Sequence, residues 1–404
     1  MRHTPALSWR NAMTEPGTIS NTHAVGSARR RGRIGLGVLF VASALGATVP
    51  RGHAQSTAVT FAAAGDHGSG AATTASLHAL ANSGAAFYLA LGDLSYGSAR
   101  AEAAWCDLVR SSVGASYPFE LVSGNHDAGS NGFIDNFAAC LPDRMGARGR
   151  YGVEYYFDYG TLLRVIMIAP DLQIGGEFYQ YVQGGPHYSW LAQRIDEARA
   201  GGIPWVIVGM HKVCITVGEK KCEIGVDLMN LLISKRVDLI LQGHDHTYQR
   251  SKQLTCAFQN SFVSACVADA GSDDVYTTGA GAVFVIAGAF GKSFDAIDTR
   301  DPEAGYFARW MGEGANPTYG FVTYTVTPEE ISARYVGTSG GTFTDSFRIV
   351  SPAKRRRAAP LGRTGRDSTP GPLGRAGGGA MQEGFHSCAK RTAASWERVS
   401  GALD

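Results

Sequence analysis

The sequence predicts an α/β fold over residues 55–350. Short apolar runs recur through this stretch, helical patterns lie between them, and each run ends in a polar motif containing glycine. Strands alternating with helices indicate α/β architecture. In such sheets functional groups gather in the loops beyond the carboxyl ends of the strands.

Five apolar runs have the length of buried strands. Ala58–Ala64 leads into Gly65-Asp66, and Ala85–Leu91 into Gly92-Asp93. Phe119–Val122 leads into Gly124-Asn125-His126-Asp127. Trp205–Val208 leads into Gly209-Met210-His211, and Val237–Leu241 into Gly243-His244-Asp245-His246. Helices are predicted over Ala71–Asn82, with Leu77 and Leu80 on one face, over Tyr188–Ala200, and over Val226–Lys235. Trp190, Leu191, Ile195 and Ala198 repeat at helical spacing in the second, and Gly201-Gly202 ends it. After Tyr276 the runs Ala282–Ala287, Gly320–Val326 and Ile331–Val336 read as strands that complete a second sheet.

The two ends differ from this body. Of 37 Lys/Arg and 35 Asp/Glu, residues 55–350 hold 20 and 30, so the ends supply the basicity. An acidic body argues against a nucleic acid as structural partner. It leaves room for a small anionic substrate, because bound cations reverse the local potential. Residues 1–54 read as an extension and signal peptide: Arg29, Arg30, Arg31 and Arg33, an apolar run from Ile34 to Val49, then Gly52-His53-Ala54. That run is shorter than a spanning helix needs, so no membrane span is expected after processing. The expected location is periplasmic or secreted. From Ser351 to Asp404 the chain is basic and rich in Pro and Gly, a composition expected to be disordered.

Cysteine usage fits export. Cys214 lies close to Cys222 in sequence and Cys256 to Cys266, which leaves Cys106 with Cys140; Cys388 stands alone in the tail. Six cysteines allow 15 connectivities, so this pairing rests on proximity.

The motifs after the strands carry the chemistry. A hydrolytic metal site needs hard anionic oxygens and imidazole nitrogens converging on one point. Asp66, Asp93, Asn125, His211, His244 and His246 supply them. Singly, each has an ordinary reading: an Asp after Gly is usually a turn or cap residue, and a lone His usually structural. Five such motifs in order, each after an apolar run, favour a metal site. A carboxylate can bridge two cations, and a His-x-His pair can send its imidazoles to different ones.

The series Gly65-Asp66-His67-Gly68, Gly92-Asp93-Leu94-Ser95-Tyr96, Gly124-Asn125-His126-Asp127, Val208-Gly209-Met210-His211 and Gly243-His244-Asp245-His246 resembles the calcineurin-like metallophosphoesterase superfamily. Gly at position 68, Tyr96 three residues after Asp93, and the run from Gly243 to Ser251 make it most similar to purple acid phosphatases. The resemblance implies two facing mixed β-sheets flanked by helices, in a single catalytic domain. It implies a first metal, iron(III), held by Asp66, Asp93, Tyr96 and His246. A second, iron, zinc or manganese, would be held by Asp93, Asn125, His211 and His244, with Asp93 bridging. The implied activity is hydrolysis of a small phosphorylated substrate, a phosphate monoester, by metal-activated hydroxide. His126 would donate the proton to the departing alkoxide.

One departure stands out. Family members often carry further histidines about ten residues after the equivalent of His211, where this chain has Lys220 and Lys221. Lysine can hold phosphate as a point charge but does not readily share the acid role. A phosphodiesterase or nucleotide pyrophosphatase of the same chemistry is the first alternative function. A non-catalytic exported binding protein on this fold is the second, and the presence of all seven ligand candidates argues against it.

Overall fold

Parallel strands need both faces covered, and their sequences read as unbroken apolar runs. In a computed structural model of the chain, which describes residues 58–97, 101–129, 133–352 and 355, the five runs form such strands. They are Val59–Ala64, Phe87–Ala90 and Phe119–Leu121 in one sheet, and Trp205–Gly209 and Leu239–Gln242 in another. Residues 1–57 and most of 351–404, with the signal peptide, tail and Cys388 assigned to them, lie outside the described residues.

The first sheet has seven strands, in the order Val275–Thr277, Ser346–Val350, Glu330–Gly340, Thr318–Val326, Val59–Ala64, Phe87–Ala90 and Phe119–Leu121. The last three run parallel. The second sheet has eight: Phe307–Met311, Tyr248–Ser251, Val283–Ala287, Leu239–Gln242, Trp205–Gly209, Leu163–Ile168, Glu154–Tyr159 and Arg148–Arg150. Its central four are parallel. Both sheets are therefore mixed, as expected.

The sheets meet face to face. Phe87 of the first packs edge-on against Phe157 of the second with ring centroids 5.6 Å apart, and Tyr248 of the second meets Tyr335 of the first at 5.0 Å. The Tyr155 hydroxyl donates to the Leu121 carbonyl at 2.8 Å across the same gap. A buried Arg250 adds a polar tie: its guanidinium forks onto Asp345 at 2.8 and 3.0 Å, joining the Tyr248–Ser251 strand to the segment before Ser346–Val350.

Helices form at Ala71–Ala81, Pro186–Ala200 and Val226–Ser234. The second begins two residues before the predicted start, because Pro186 is set for the first helical turn. Leu191, Ile195 and Ala198 are its buried face, and Trp190 is half-buried. Two further helices, Glu102–Val113 and Phe133–Cys140, are joined by the Cys106–Cys140 disulfide. Cys214–Cys222 and Cys256–Cys266 are also bonded, so all three proximity pairs form.

The late strands depart from expectation. Only Val283–Ala287 enters the second sheet; Thr318–Val326 and Glu330–Gly340 join the first. Thr318–Val326 pairs antiparallel with Val59–Ala64, placing Tyr324 opposite Phe61 with rings 4.9 Å apart. Apolar alternation marks a half-buried strand but does not say which open edge it will cover.

Candidate metal centre

The site assembles where strand ends from both sheets converge. Asp66, Asp93 and Asn125 follow strands of the first sheet, and His211, His244 and His246 follow strands of the second. The turns are sharp. Asp66, Asp93, Tyr96 and His244 all take left-handed backbone conformations, with φ of 62°, 50°, 55° and 71°. Asp and His adopt this region more readily than most residues, and strained backbone of this kind clusters at functional sites.

Glycine lets the loops approach. A Cβ on Gly92, itself at φ 83°, would lie 2.7 Å from both the Gly124 amide nitrogen and His211 Nδ1. A Cβ on Gly124 would run into the Asp93 carboxylate. The recurring glycine before each polar residue thus has a steric cause: neighbouring motifs pack backbone to backbone.

On one side of the site the Tyr96 hydroxyl donates to Asp66 Oδ1 at 2.7 Å and lies 2.9 Å from His246 Nε2. On the other, His211 Nε2 lies 3.1 Å from Asn125 Oδ1, 3.1 Å from His244 Nδ1 and 3.3 Å from Asp93 Oδ1. Asp93, His211 and His244 offer ligand atoms all within 4.8 Å of one another. The structure therefore brings together all seven ligand candidates of the sequence. His126 stands at the exposed mouth, its Nε2 3.9 Å from Asp93 Oδ2 and its ring 4.5 Å from that of Tyr96.

The electrostatics suit cations. Asp66 and Asp93 are 0% and 2% exposed, and among the described residues their ion pairs are with imidazoles only. Burial opposes their ionisation, but His211 and further imidazoles hold both below the usual carboxylate range. Burial also opposes charge on His211, yet Asp93 and Asp66 raise it to about 9. Burial, with Asp66 and Asp93 beside it, drives the Tyr96 phenol far above its ordinary value. A hard cation among these groups would act on the phenol in the opposite sense. Buried carboxylates, imidazoles, a carboxamide and a phenol form a donor set that fits two metal ions.

Supporting groups were not singled out by sequence. His211 Nδ1 lies 2.8 Å from the Leu91 carbonyl, which leaves Nε2 to face the site. Asp127 accepts from the Leu94 and Gly124 amides at 3.0 Å, fixing the Asn125 loop. Glu223 Oε1 lies 2.8 Å from His244 Nε2; this contact, then Lys212 against the opposing effect of burial, holds Glu223 down at about 2. Asp295 accepts from the His246 amide at 3.1 Å and lies 3.7 Å from Lys220. Lys292 sits over the Tyr96 ring, 4.5 Å from its centroid. Glu223 follows Cys222 directly in the sequence.

Comparison with known proteins relates the chain to phosphoesterases. Residues 59–248 match the calcineurin-like phosphoesterase family. An uncharacterized protein of Mycobacterium tuberculosis is 28% identical over 321 residues, covering 66% of this chain and 60% of its own. Purple acid phosphatase 18 of Arabidopsis thaliana is 26% identical over 209 residues, 48% of this chain and 45% of the relative. A nucleotide pyrophosphatase/phosphodiesterase of Hordeum vulgare is 24% identical over 265 residues, 59% of this chain and 64% of the relative. The chain thus spans less than two thirds of these relatives' lengths. The structure of purple acid phosphatase PPD1 from yellow lupin superposes with a TM-score of 0.58 at 19% identity, covering 79% of this chain and 57% of that one, which shows a shared fold. On the match over residues 59–248 and the convergence of its motifs, the chain is similar to calcineurin-like phosphoesterases, purple acid phosphatases among them.

Proposed function

We propose that the protein is an exported phosphoesterase that hydrolyses phosphate monoesters with two metal ions. The observation that carries this reading is the convergence of Asp66, Tyr96 and His246 on one side of Asp93, and of Asn125, His211 and His244 on the other. The first group would hold iron(III), for which a phenolate is a suitable hard ligand, and the second iron, zinc or manganese. When bound, the two cations supply a water of lowered pKa and neutralise phosphate charge.

The chain's own residues do the rest. Asp93 belongs to both ligand groups and is fixed by the His126 amide at 2.9 Å. His126 stands exposed at the mouth, where its ring can give a proton to the departing alkoxide. Lys292 and Lys220 flank the Tyr96 and His246 side and offer positive charge to a phosphate. The three disulfides support export.

The test is turnover of an aryl phosphate monoester against a bis-aryl diester by metal-loaded protein. Faster monoester turnover, lost in Asp93→Ala, is expected. Diester preference would favour the second reading, phosphodiesterase action, for which the barley relative and the lysines at 220 and 221 are the motivation. Turnover of neither by protein carrying both metals would point to a binding protein.

A further inference from the structure

The imidazoles of the site are not aimed in the same way. His211 is fixed by a main-chain carbonyl, that of Leu91. His244 is fixed by a side chain: its Nδ1 faces His211 Nε2 at 3.1 Å, and its Nε2 meets Glu223 Oε1 at 2.8 Å. The imidazole therefore stands between Glu223 and the ligand cluster, so Glu223 is placed behind a ligand rather than as one.

Glu223 is itself held. Its Oε2 lies 2.8 Å from Lys212 Nζ, and that ammonium also donates to Asp171 Oδ2 at 2.7 Å. Its amide donates to the Val213 carbonyl at 3.0 Å, and the neighbouring Cys222 is bonded to Cys214. Lys212 is only 8% exposed, and its own carbonyl accepts from Gln242 Nε2 at 2.9 Å. The loop from 212 to 223 is thus fastened at both ends, and it delivers one carboxylate to the back of one imidazole.

We infer that Glu223 is the positioning residue of the second metal site: through its contact with His244 Nε2 it fixes the ring so that Nδ1 carries the lone pair facing the cluster. This rests on the dinuclear reading above. Carboxylates behind metal-bound imidazoles set the tautomer and raise ligand basicity, and their loss typically weakens metal binding about 10–100-fold. The effect is expected at one metal, because among the described residues Glu223 pairs with His244 and Lys212 and not with Tyr96, Asp66 or His246.

The experiment compares wild type, Glu223→Ala and Glu223→Gln as full-length purified proteins. Zinc or manganese content and dissociation constants are read by chelator competition and elemental analysis, with near-ultraviolet circular dichroism reporting the fold. Glu223→Ala is expected to bind one of two metals about 10–100-fold more weakly and the other as wild type does. Glu223→Gln, whose carbonyl oxygen can still accept from Nε2, is expected to recover most of that loss. Wild-type affinity at both sites in Glu223→Ala overturns the inference. So does equal weakening at both sites, or a Gln variant no better than Ala. A wild-type protein that binds no second metal overturns the dinuclear reading itself, a failure seen before any substitution is made.

Discussion

The Tyr96 hydroxyl donates to Asp66 Oδ1 at 2.7 Å, joining the second motif of the sequence to the first across 30 residues. Tyr96 reaches this position from a left-handed backbone conformation, φ 55°, which a bulky residue rarely adopts. The loop is bent to bring the phenol to the carboxylate.

The first prediction follows from that contact. With iron(III) in the first site, a Tyr96 phenolate should give a charge-transfer band in visible light, so the oxidised protein should be purple or pink. Tyr96→Phe should bleach the colour and keep activity within about tenfold, equivalent to about 1.4 kcal/mol of barrier, because Asp66, Asp93 and His246 remain. An absorption spectrum and a phosphatase assay on the same sample check this. A colourless wild-type enzyme that contains iron and is active would remove Tyr96 from the ligand set.

Gly124→Ala should damage the site without replacing any ligand. The new methyl would meet the Asp93 carboxylate and amide, so one loop must shift. A misplacement of about 1 Å at a catalytic group can cost about 100-fold in rate. A loss of that order in kcat with a near-native melting temperature is expected. Unchanged activity would mean that the loops tolerate separation.

Much of this centre was legible in the sequence because it is built from strand ends. A buried strand followed by glycine and a polar residue is a local pattern, and the five repeats of it named Asp66, Asp93, Asn125, His211, His244 and His246. Tyr96 came from the resemblance to purple acid phosphatases, which implies a tyrosine ligand three residues after Asp93. The groups behind the ligands were not legible for a physical reason. Glu223, Asp127 and the Leu91 carbonyl act through tertiary contacts, and nothing in their neighbouring residues says which imidazole or amide they will meet. The same limit applied to Thr318–Val326: its alternation announced a strand, and only the exposed edge of Val59–Ala64 decided where it paired.

Glu120 makes stability depend on pH. It is fully buried on the strand Phe119–Leu121, and burial, aided by Asp143, pushes its carboxyl from 4.5 up to about 8. Between these values the folded chain keeps a proton that the unfolded chain releases. Its contribution is therefore fully present below pH 4.5 and declines towards pH 8, by at most about 1.4 kcal/mol per pH unit. Glu120→Gln should flatten this decline. Denaturant midpoints of wild type and variant from pH 5 to 8 check it; parallel curves would show that Glu120 is ionised in the folded protein.

Metal content of Asp93→Ala tests the central claim most directly. Asp93 is the ligand assigned to both metals, so its loss should empty both sites while the fold persists. Elemental analysis should find close to two metals per chain in wild type and close to none in Asp93→Ala, with phosphatase activity reduced to background. Full metal content and full activity in Asp93→Ala would contradict the dinuclear centre.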